Sequence, residues 1–431
     1  MDINEMLLAR ENRVRLIHEL IKKHHKPVIL VKANIPGDNK NIPEAYLLIS
    51  LFKKEMLFSF HIHDMVSFSS ADGPYMLLSM NDVIPIDLKK KLVHLEENHP
   101  LGRFIDLDLY VDETYSISRV ELSLTSRRCY ICDDDARICS KTKKHTTKAL
   151  LKVIHTSVSS YMSDLIHKHI DYAMLRELNL EHKFGLVTPN SSGSHKDMDY
   201  QLMLKAKDAI TPFFIEMFNL NYEVNDPKVL FHKARLLGLI AEHQMLEKTQ
   251  GVNAYKGLIF MLGISVLASG YVMMRGLTFN DLFLVIAHMT EGITDELKNV
   301  NHTHGSKAYH DAGLTGARGE VEKGLPTIKN ILTHDKQVIL DDDTLRDTLK
   351  LIILASEDTV LYHRAKNIHR YHEIKRILKD IDVKDIEQAK AFTKEMIEDD
   401  ISFGGSADLL IVYLFIKDMS SYMNESTLSY G

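Results

Sequence analysis

The sequence has 431 residues, of which 45% are hydrophobic and 26% are charged, and its formal net charge is −6 at pH 7. These values exclude a disordered chain and favour a globular protein of two or three domains. They also argue against a nucleic-acid-binding protein, because a net negative chain has no broad positive field. The three cysteines are odd in number and close together, and the charged N-terminus lacks the apolar core of a signal peptide, so we expect a reducing, cytoplasmic location.

The first third of the chain predicts a mixed α/β domain. Apolar residues at helical spacing predict a helix over residues 3–25, which Pro27 ends. Further helical spacing occurs at residues 45–53 and 88–97. Strand-like runs occur at residues 28–31, 56–62, 65–69, 75–79, 104–111 and 117–124.

Beyond about residue 146, long helical periods predict an all-α domain. The predicted helices cover residues 145–180, 197–219, 227–249, 256–274, 278–294, 344–356, 358–381, 385–396 and 407–423. The change of pattern between residues 145 and 160 therefore predicts two domains, which we place at residues 1–158 and 159–431.

One predicted helix, over residues 257–274, carries no charged side chain. Its length is close to the lower limit for a membrane span, which would make the protein membrane-associated. Small and polar residues interrupt the segment, however, and no second span accompanies it. Because a central helix buried on all sides gives the same pattern, we favour a buried helix and expect no membrane partner.

Two aspartates in the predicted strand 104–111 form a candidate metal site. Asp106 and Asp108 share one face of the strand, because side chains alternate along it. Two carboxylates so placed can hold a divalent metal against a phosphate, with Arg103 nearby and Glu121 as a possible third ligand. The alternative is a solvated strand face with the intervening leucines turned to the core.

A short lysine-rich segment carries Cys129, Cys132, Cys139 and His145. Three thiols and an imidazole are the ligand set of a structural zinc site. The irregular spacing and a neighbouring run of aspartates are equally compatible with free, reduced cysteines in a basic turn. Zn²⁺ and free thiols are therefore alternative predictions, and the surrounding lysines could bind a polyphosphate tail.

Five loops of the helical domain combine glycine or carboxylates with other charged residues. They are residues 183–200, 251–257, 302–307 with 313–320, 357–359 and 402–408. The first contains a turn-forming cluster, from Pro189 to Ser194, that offers backbone N–H groups and hydroxyls to phosphate. Asp197 and Asp199 follow it and suggest a bridging Mg²⁺, although a polar loop before a helix capped by Ser194 explains the same residues. Five such loops on a helical scaffold favour a binding function over simple connection.

Motifs in these loops resemble those of a known enzyme family. GLVTPNSSGSHKDMD, GVNAYKG, GLTGARGE and GGSADLL, between residues 183 and 410, resemble triphosphoribosyl-dephospho-CoA synthase. In the first third, NIPG at 34–37, HPLGRFIDLDLYVD at 99–112 and residues 129–145 resemble apo-citrate lyase phosphoribosyl-dephospho-CoA transferase. The whole chain thus resembles the fused, bifunctional form of these enzymes. It departs from the family pattern at Phe403 and at residues 38–40, 356–359 and 365–366.

The resemblance implies a nucleotidyltransferase-like α/β domain followed by an all-α domain. It also implies that the helical domain joins ATP to dephospho-CoA and releases adenine. The first domain would then transfer the product to a serine of the citrate lyase acyl carrier protein, the gamma subunit, and release diphosphate. Mg²⁺ is the expected cofactor. A non-catalytic adaptor that binds nucleotide and carrier protein is the alternative, and it predicts no adenine release.

The motifs give each site a set of expected residues. The expected catalytic carboxylates are Asp106, Asp108, Asp197, Asp199, Glu320, Asp358 and Asp408. The expected Mg²⁺ ligands among them are Asp106, Asp108, Asp197 and Asp199. The expected substrate-binding residues are Arg103, Asn190, Ser194, His195, Lys196, Asn253, Lys256, Gly257, Gly316, Arg318, Gly319, Gly404, Gly405 and Ser406.

Overall fold

The computed structural model of the protein describes residues 3–81, 83–132, 134–299, 304–334, 340–424 and 429–430. The chain divides into two compact units. Unit 1 comprises Met1–Asp164, Val272–Phe279 and Ser421–Gly431, and unit 2 comprises Leu165–Tyr271 and Asn280–Ser420.

Unit 1 is built on a six-stranded sheet with the strand order β5-β4-β1-β3-β2-β6. All neighbouring strands are antiparallel except β2 and β6, which are parallel. The strands are β1 (Val28–Ala33), β2 (Ile62–Ser70), β3 (Gly73–Met80), β4 (Ile105–Tyr110), β5 (Ser116–Ile117) and β6 (Ser429–Tyr430). The helices before residue 164 are α1 (Ile3–His24), α2 (Pro43–Ser59), α3 (Pro85–Asn98), α4 (Ala136–Lys141) and the start of α5 (Thr147–Leu178).

Both faces of the central strands are buried. Ile17 and Ile21 of α1 form one apolar cluster with Val28 and Leu30 of β1 and with neighbouring residues of β3. The alternate side chains of β1 are also buried, and α2 contacts β1 and β3. Continuous burial explains why the central strands read as unbroken apolar runs, a pattern typical of strands covered on both faces.

The sequence predicted most of these elements, with two errors. The run 56–62 is not a strand, because residues 56–59 complete α2, on which Met56 is fully buried. Of the predicted strand 117–124, only Ser116–Ile117 pairs in the sheet, and Val120–Leu122 forms a 3₁₀ turn. Short apolar runs fit a helix as well as a strand, and packing decides between them.

The rest of the described chain is helical. Its elements are α6 (Tyr200–Asn219), α7 (Pro227–Lys248), α8 (Lys256–Met273), α9 (Phe279–Met289), α10 (Glu296–Asn299), α11 (His304–Ala312), α12 (Gly316–Glu322), α13 (Pro326–His334), α14 (Asp342–Ala355), α15 (Thr359–Ala365), α16 (Ile368–Asp380), α17 (Ile386–Glu398) and α18 (Gly404–Ser420). The predicted helix 358–381 is interrupted, because Lys366 adopts a left-handed conformation with φ of 64° and Asn367 caps α16.

Three predicted loops also differ from the structure. Residues 313–320 were expected to be a connection, but α12 begins at Gly316. In the predicted loop 302–307, residues 304–307 belong to α11, and residues 302 and 303 lie outside the described residues. In the predicted loop 402–408, α18 begins at Gly404. The apolar helix α8 is long and apolar enough to cross a membrane by length and composition alone, but 78% of it is buried. That burial is typical of a core helix, in agreement with the buried-helix interpretation.

Candidate functional site

Unit 2 contains a cavity of about 210 Å³ at which the predicted loops converge. Its wall includes residues from the end of α5, the loop 183–198, and the starts of α8, α12, α15 and α18. The sequence-predicted residues that line it are His195, Asn253, Lys256, Gly257, Gly316, Glu320, Asp358, Gly404, Gly405 and Asp408. A cavity formed by six segments, with several charged and polar groups in its wall, is the default candidate for a substrate site.

Two carboxyl groups in the wall are held in an unusual state. Burial, together with the neighbouring carboxylates of Glu177 and Asp358, raises the pKa of Asp408 well above its usual range. Burial also raises the pKa of Glu320, against hydrogen bonds from Thr327. Oε1 of Glu320 is buried and has no hydrogen-bond partner in the described part of the chain. Buried acids with raised pKa values and a free oxygen are characteristic of acid–base sites.

Asp408 approaches the wall closely because residue 257 is a glycine. A Cβ atom at Gly257 would lie 2.4 Å from Oδ2 of Asp408, so any side chain there would displace the carboxylate. Gly257 belongs to the first turn of α8, and Gly405 belongs to the first turn of α18. The N-termini of these two long helices thus meet at the cavity, where the positive ends of their dipoles favour an anion.

A buried ion pair and a buried tyrosine complete the wall. Lys183 Nζ donates to Oε1 and to the backbone oxygen of Glu177, both at 2.6 Å. Burial lowers the pKa of Lys183, while Glu177 opposes the shift. The hydroxyl of Tyr255 is buried without a hydrogen-bond partner among the described residues. Burial and the carboxylates of Glu177 and Asp408 raise the pKa of Tyr255, which keeps the hydroxyl protonated as a donor.

His195 is fixed as a neutral ring at the edge of the cavity. Its Nε2 lies 2.9 Å from Ser402 Oγ, and its Nδ1 lies 3.3 Å from the guanidinium of Arg364. Burial and the Arg364 cation lower the pKa of His195. Because a guanidinium is only a donor, Nδ1 accepts and Nε2 carries the proton. His195 therefore serves as a hydrogen-bonding group and not as a cation.

Several other predicted residues have structural partners away from the cavity wall. Asp199 caps α6 by accepting from Leu202 N, and Asp197 and Lys196 are exposed. Buried Ser194 donates to the backbone oxygen of Met396 at 3.2 Å. The structure thus does not bring the predicted metal ligands Asp197 and Asp199 to the cavity. Asp199 caps the N-terminus of α6, and Asp197 is exposed.

The remaining predicted residues also have identifiable partners. Asn190 donates to Glu181 at 2.9 Å, and Arg318 lies 3.6 Å from Glu296. A Cβ at Gly319 would collide with Thr315. Ser406 donates from its backbone N–H and its hydroxyl to Oδ2 of Asp358, at 2.7 and 2.8 Å.

Asp358 lines the cavity, but both of its oxygens are occupied. Oδ1 accepts from the N–H groups of Val360 and Leu361, which begin α15, and Oδ2 accepts from Ser406 near the start of α18. Asp358 therefore joins two helix N-termini. This geometry favours a positioning role over the catalytic role that the sequence predicted.

The sequence prediction missed three residues of the wall, Glu177, Lys183 and Tyr255. Glu177 lies in the last turn of a long helix, where nothing in the local pattern marks it. Lys183 and Tyr255 lie inside the predicted loops, but the prediction favoured their more polar neighbours. A buried lysine six positions from a glutamate is visible as a pair only once the chain is folded.

In unit 1, Asp106 and Asp108 project from β4, with Asp106 half-buried and Asp108 exposed. Arg127 forms an ion pair with Asp106 and another with Glu96. Burial raises the pKa of Asp106, and Asp108 and Glu96 act in the same direction while Arg127 opposes them. Crowded carboxylates of this kind are relieved by a bound cation, so the pair fits a divalent metal.

Two further residues near this pair differ from expectation. Glu121 accepts hydrogen bonds from Tyr115 and Ser118, so its oxygens are already engaged. The guanidinium of Arg103 donates to the backbone oxygen of Cys129 and lies over the ring of Tyr130, 5.6 Å from its centroid. Arg103 is exposed and is held beside the cysteine segment.

The four predicted zinc ligands come together in unit 1. One ligand atom from each of Cys129, Cys132, Cys139 and His145, which we call the Cys₃His cluster, lies within 4.8 Å of the others. The sulfurs of Cys129 and Cys139 are 3.4 Å apart, and His145 Nε2 is 3.2 Å from the sulfur of Cys132. Tetrahedral zinc, with bonds of about 2.3 Å to sulfur and 2.0 Å to nitrogen, places its ligands roughly 3.5 Å apart. The donor set and its spacing therefore fit Zn²⁺.

Comparison with known proteins divides the chain at nearly the same place as its composition. Residues 1–161 match the family described as apo-citrate lyase phosphoribosyl-dephospho-CoA transferase. Residues 163–427 match the family described as ATP:dephospho-CoA triphosphoribosyl transferase.

Two individual relatives extend over nearly the whole chain, and a third matches only the part of it that the synthase covers. A Haemophilus influenzae protein named CitXG is 29% identical, over 96% of this chain and 95% of its own length. Another protein named CitXG, from Leuconostoc mesenteroides subsp. cremoris, is 28% identical over 96% of this chain and 97% of its own length. The 2-(5''-triphosphoribosyl)-3'-dephosphocoenzyme-A synthase of Haemophilus ducreyi is 30% identical, over 67% of this chain and 99% of its own length.

Proposed function

We propose that this chain first makes the citrate lyase prosthetic group and then attaches it. The chain belongs to the ATP:dephospho-CoA triphosphoribosyl transferase family and to the apo-citrate lyase phosphoribosyl-dephospho-CoA transferase family. It is therefore a bifunctional transferase. Unit 2 joins ATP to dephospho-CoA and releases adenine. Unit 1, as a nucleotidyltransferase-like domain, transfers the product to a serine of the citrate lyase acyl carrier protein, the gamma subunit, and releases diphosphate. We place both reactions in the cytoplasm, where the three free thiols remain reduced.

The observation that carries the first activity is the Asp408 carboxyl, which lines a cavity where two helix N-termini meet. A ribose hydroxyl of dephospho-CoA attacks the anomeric carbon of ATP. The new C–O bond forms as the C–N bond to adenine breaks, and the electron pair leaves with adenine, which takes up a proton from solvent. Asp408 removes the hydroxyl proton and later releases it to solvent, and the cavity carboxylates stabilise the positive charge that develops on the ribose. The helix N-termini and Lys256 hold the triphosphate.

The test of this assignment is chromatography of ATP and dephospho-CoA incubated with the full-length protein. We expect free adenine from the wild type and at least a hundredfold less from Asp408→Asn, the usual scale for loss of a general base. Asp380→Asn removes the same charge from an exposed position and should retain full activity. Normal release by Asp408→Asn would refute the assignment, and no release by the wild type would favour a non-catalytic adaptor.

The second activity is assigned to the carboxylates of β4. Asp106 and Asp108 would hold Mg²⁺, which when bound supplies Lewis-acid stabilisation to the phosphates. Arg127 holds Asp106 in place through their ion pair, and Glu96 holds Arg127. These contacts hold Asp106 next to the exposed Asp108, where the carrier-protein serine would reach the α-phosphorus of the bound precursor.

The Cys₃His cluster would bind Zn²⁺ in a structural role. Four protein ligands leave no open position for a substrate, which is the arrangement of structural zinc sites. The cluster joins the two ends of the segment 129–145, and the backbone oxygen of Cys129 accepts a hydrogen bond from the guanidinium of Arg103. We expect zinc to hold this segment and with it the side of unit 1 next to Asp106.

A further inference from the structure

Unit 1 contains a buried aspartate that is surrounded by cations. Asp72 lies in the turn between β2 and β3 and is completely buried. Arg10 and Arg13 of α1 and Lys32 of β1 all form ion pairs with it. One carboxylate therefore meets three cations that come from two different elements.

A fourth cation reaches the same place from the turn after β1. Lys40 and Asp72 interact electrostatically, and burial and the Arg10 cation lower the pKa of Lys40. A Cβ atom at Gly73, whose φ is +94°, would lie 2.9 Å from Cβ of Lys40, so the glycine lets the Lys40 chain lie against this turn. We call Arg10, Arg13, Lys32 and Lys40 the Asp72 cation cluster.

The cluster holds more positive charge than its own anions neutralise. Arg10, Arg13 and Lys32 form ion pairs with Asp72. Lys40 interacts with Asp72 at longer range, and its Nζ donates to the backbone oxygen of Ile35. The exposed Asp38 near Lys40 is a second, more distant anion. Burial and the Arg13 cation lower the pKa of Lys32, as expected where cations crowd one another. Partly buried surplus cations are costly unless an anion binds them, so they indicate an anion site.

Solvent can reach the cluster. The side chains of Arg10, Arg13 and Lys32 are 49%, 14% and 16% exposed. Each cation therefore retains some freedom to contact a bound molecule while Asp72 fixes its position.

The cluster shares a face of the sheet with the candidate metal ligands. Lys32 is the direct partner of Asp106 in the antiparallel pairing of β1 with β4, and Leu30 is the partner of Asp108. Directly paired residues project to the same face, with Cα atoms about 4.5–5.5 Å apart. Burial and the Asp108 carboxylate raise the pKa of Tyr110 while the Arg13 cation opposes them, so the Tyr110 hydroxyl is within electrostatic range of both groups.

We propose that the Asp72 cation cluster binds the triphosphate of the prosthetic-group precursor and places its diphosphate leaving group beside Asp106 and Asp108. This inference rests on the transferase activity proposed above. The serine oxygen forms a new P–O bond at the α-phosphorus while the bond from that phosphorus to the departing diphosphate breaks. The hydroxyl proton passes to solvent, and the electron pair leaves with diphosphate. Fixed cations at the leaving group stabilise the negative charge that accumulates there.

The test uses Arg10→Gln and Lys40→Gln in the full-length protein, because Arg13 and Lys32 are more deeply buried and their loss could unfold unit 1. Arg15→Gln is the matched control, since Arg15 is on the same helix but is 59% exposed and pairs with Glu19. Loading of the carrier protein is measured from purified precursor, with inorganic tripolyphosphate as a competing inhibitor. Thermal melting checks that each variant is folded.

We expect each cluster variant to raise the KM for the precursor and the inhibition constant of tripolyphosphate about tenfold, the usual effect of one lost charge-assisted hydrogen bond. Arg15→Gln should change neither value, Lys40→Arg should restore both, and adenine release should stay constant throughout. If the wild type loads the carrier protein but the cluster variants behave like Arg15→Gln, the inference is wrong while the proposed function stands. If folded variants lose kcat while the inhibition constant of tripolyphosphate stays at the wild-type value, the cluster does not bind the phosphates and the inference is likewise overturned. Failure of the wild type to load from the precursor refutes both.

Discussion

Replacing Glu177 by glutamine should destabilise unit 2 by about 3–5 kcal/mol, because the Lys183 ammonium would be left buried without a counter-charge. Lys183 is 1% exposed and Glu177 is 3% exposed, so solvent does not screen this pair. The glutamine keeps the shape of the side chain, and Lys183 keeps its hydrogen bond of 2.6 Å to the backbone oxygen of residue 177. The loss therefore measures charge and not packing.

The free energy of deprotonating Lys183 gives an independent limit on the loss of stability in Glu177→Gln. Neutralising a lysine whose unfolded pKa is about 10.4 costs roughly 4.6 kcal/mol at pH 7 and roughly 1.9 kcal/mol at pH 9. Burial already lowers the folded pKa of Lys183, and removing Glu177 lowers it further. Because the unfolded chain then binds more protons than the folded chain, the stability of the variant rises with pH between the folded and unfolded pKa values. The deficit should therefore shrink between pH 7 and pH 9.

Differential scanning calorimetry of the full-length protein would measure the effect. For a unit of this size the expected fall in Tm at pH 7 is roughly 6–18 °C. The double variant Glu177→Gln with Lys183→Met removes both charges and should recover much of the loss. Two results would show that the Glu177–Lys183 ion pair does not stabilise the cavity wall. One is a Glu177→Gln variant that melts within about 2 °C of the wild type, and the other is a double variant that melts lower than both Glu177→Gln and Lys183→Met.

Four further outcomes follow from the geometry. Gly257→Ala should reduce adenine release at least tenfold, because its Cβ would lie 2.4 Å from the Asp408 carboxylate. The control Gly238→Ala should leave the rate unchanged, because its Cβ would be 3.7 Å from the nearest neighbouring atom. The rate of adenine release should rise with pH through an inflection well above the ordinary aspartate range, since the raised pKa of Asp408 must be passed before it can act as a base; an inflection near pH 4 would contradict this assignment. Asp106→Asn or Asp108→Asn should lower carrier-protein loading about a hundredfold or more and leave adenine release intact, which parallel assays of both products would check. Metal analysis should find about one zinc per chain. If the protein contains no zinc and its melting temperature is unaffected by chelator, the residues of the Cys₃His cluster are free thiols and an imidazole.

The sequence located the cavity because its wall is made of segments that carry strong local signals. Gly257 and Gly405 stand out in a helical sequence, since glycine is unfavourable in helices, and Asp408 follows Gly405 closely in one motif. The same reasoning assigned catalysis to Asp199 and Asp358, which cap helices. Aspartate is preferred both as a catalytic base and as a helix N-cap, so residue type alone cannot separate the two roles.

What the sequence did not predict depends on contacts between distant segments. Asp72 lies 62 positions from Arg10 and 40 positions from Lys32 along the chain, and no local sequence pattern predicts that these side chains are in contact. The register of β1 against β4 sets Lys32 beside Asp106, and register follows from packing of the whole sheet. The Cys₃His cluster was left between two interpretations for the same reason, because the spacing of its ligands is irregular along the chain and close only in space.

The Cys₃His cluster also affects how this protein should be handled. Although burial opposes it, hydrogen bonds from the backbone of residues 131 and 132 and from its neighbouring thiols lower the pKa of Cys129 to about 7, so in a metal-free preparation this buried thiol is partly ionised at neutral pH. Its sulfur lies 3.4 Å from that of Cys139, close enough to be joined by mild oxidation in air. A sample purified with chelator and stored aerobically would then lose carrier-protein loading while it continued to release adenine. Such a sample would be misread as an enzyme with a single activity, so purification with zinc and reductant is the condition under which both activities can be measured together.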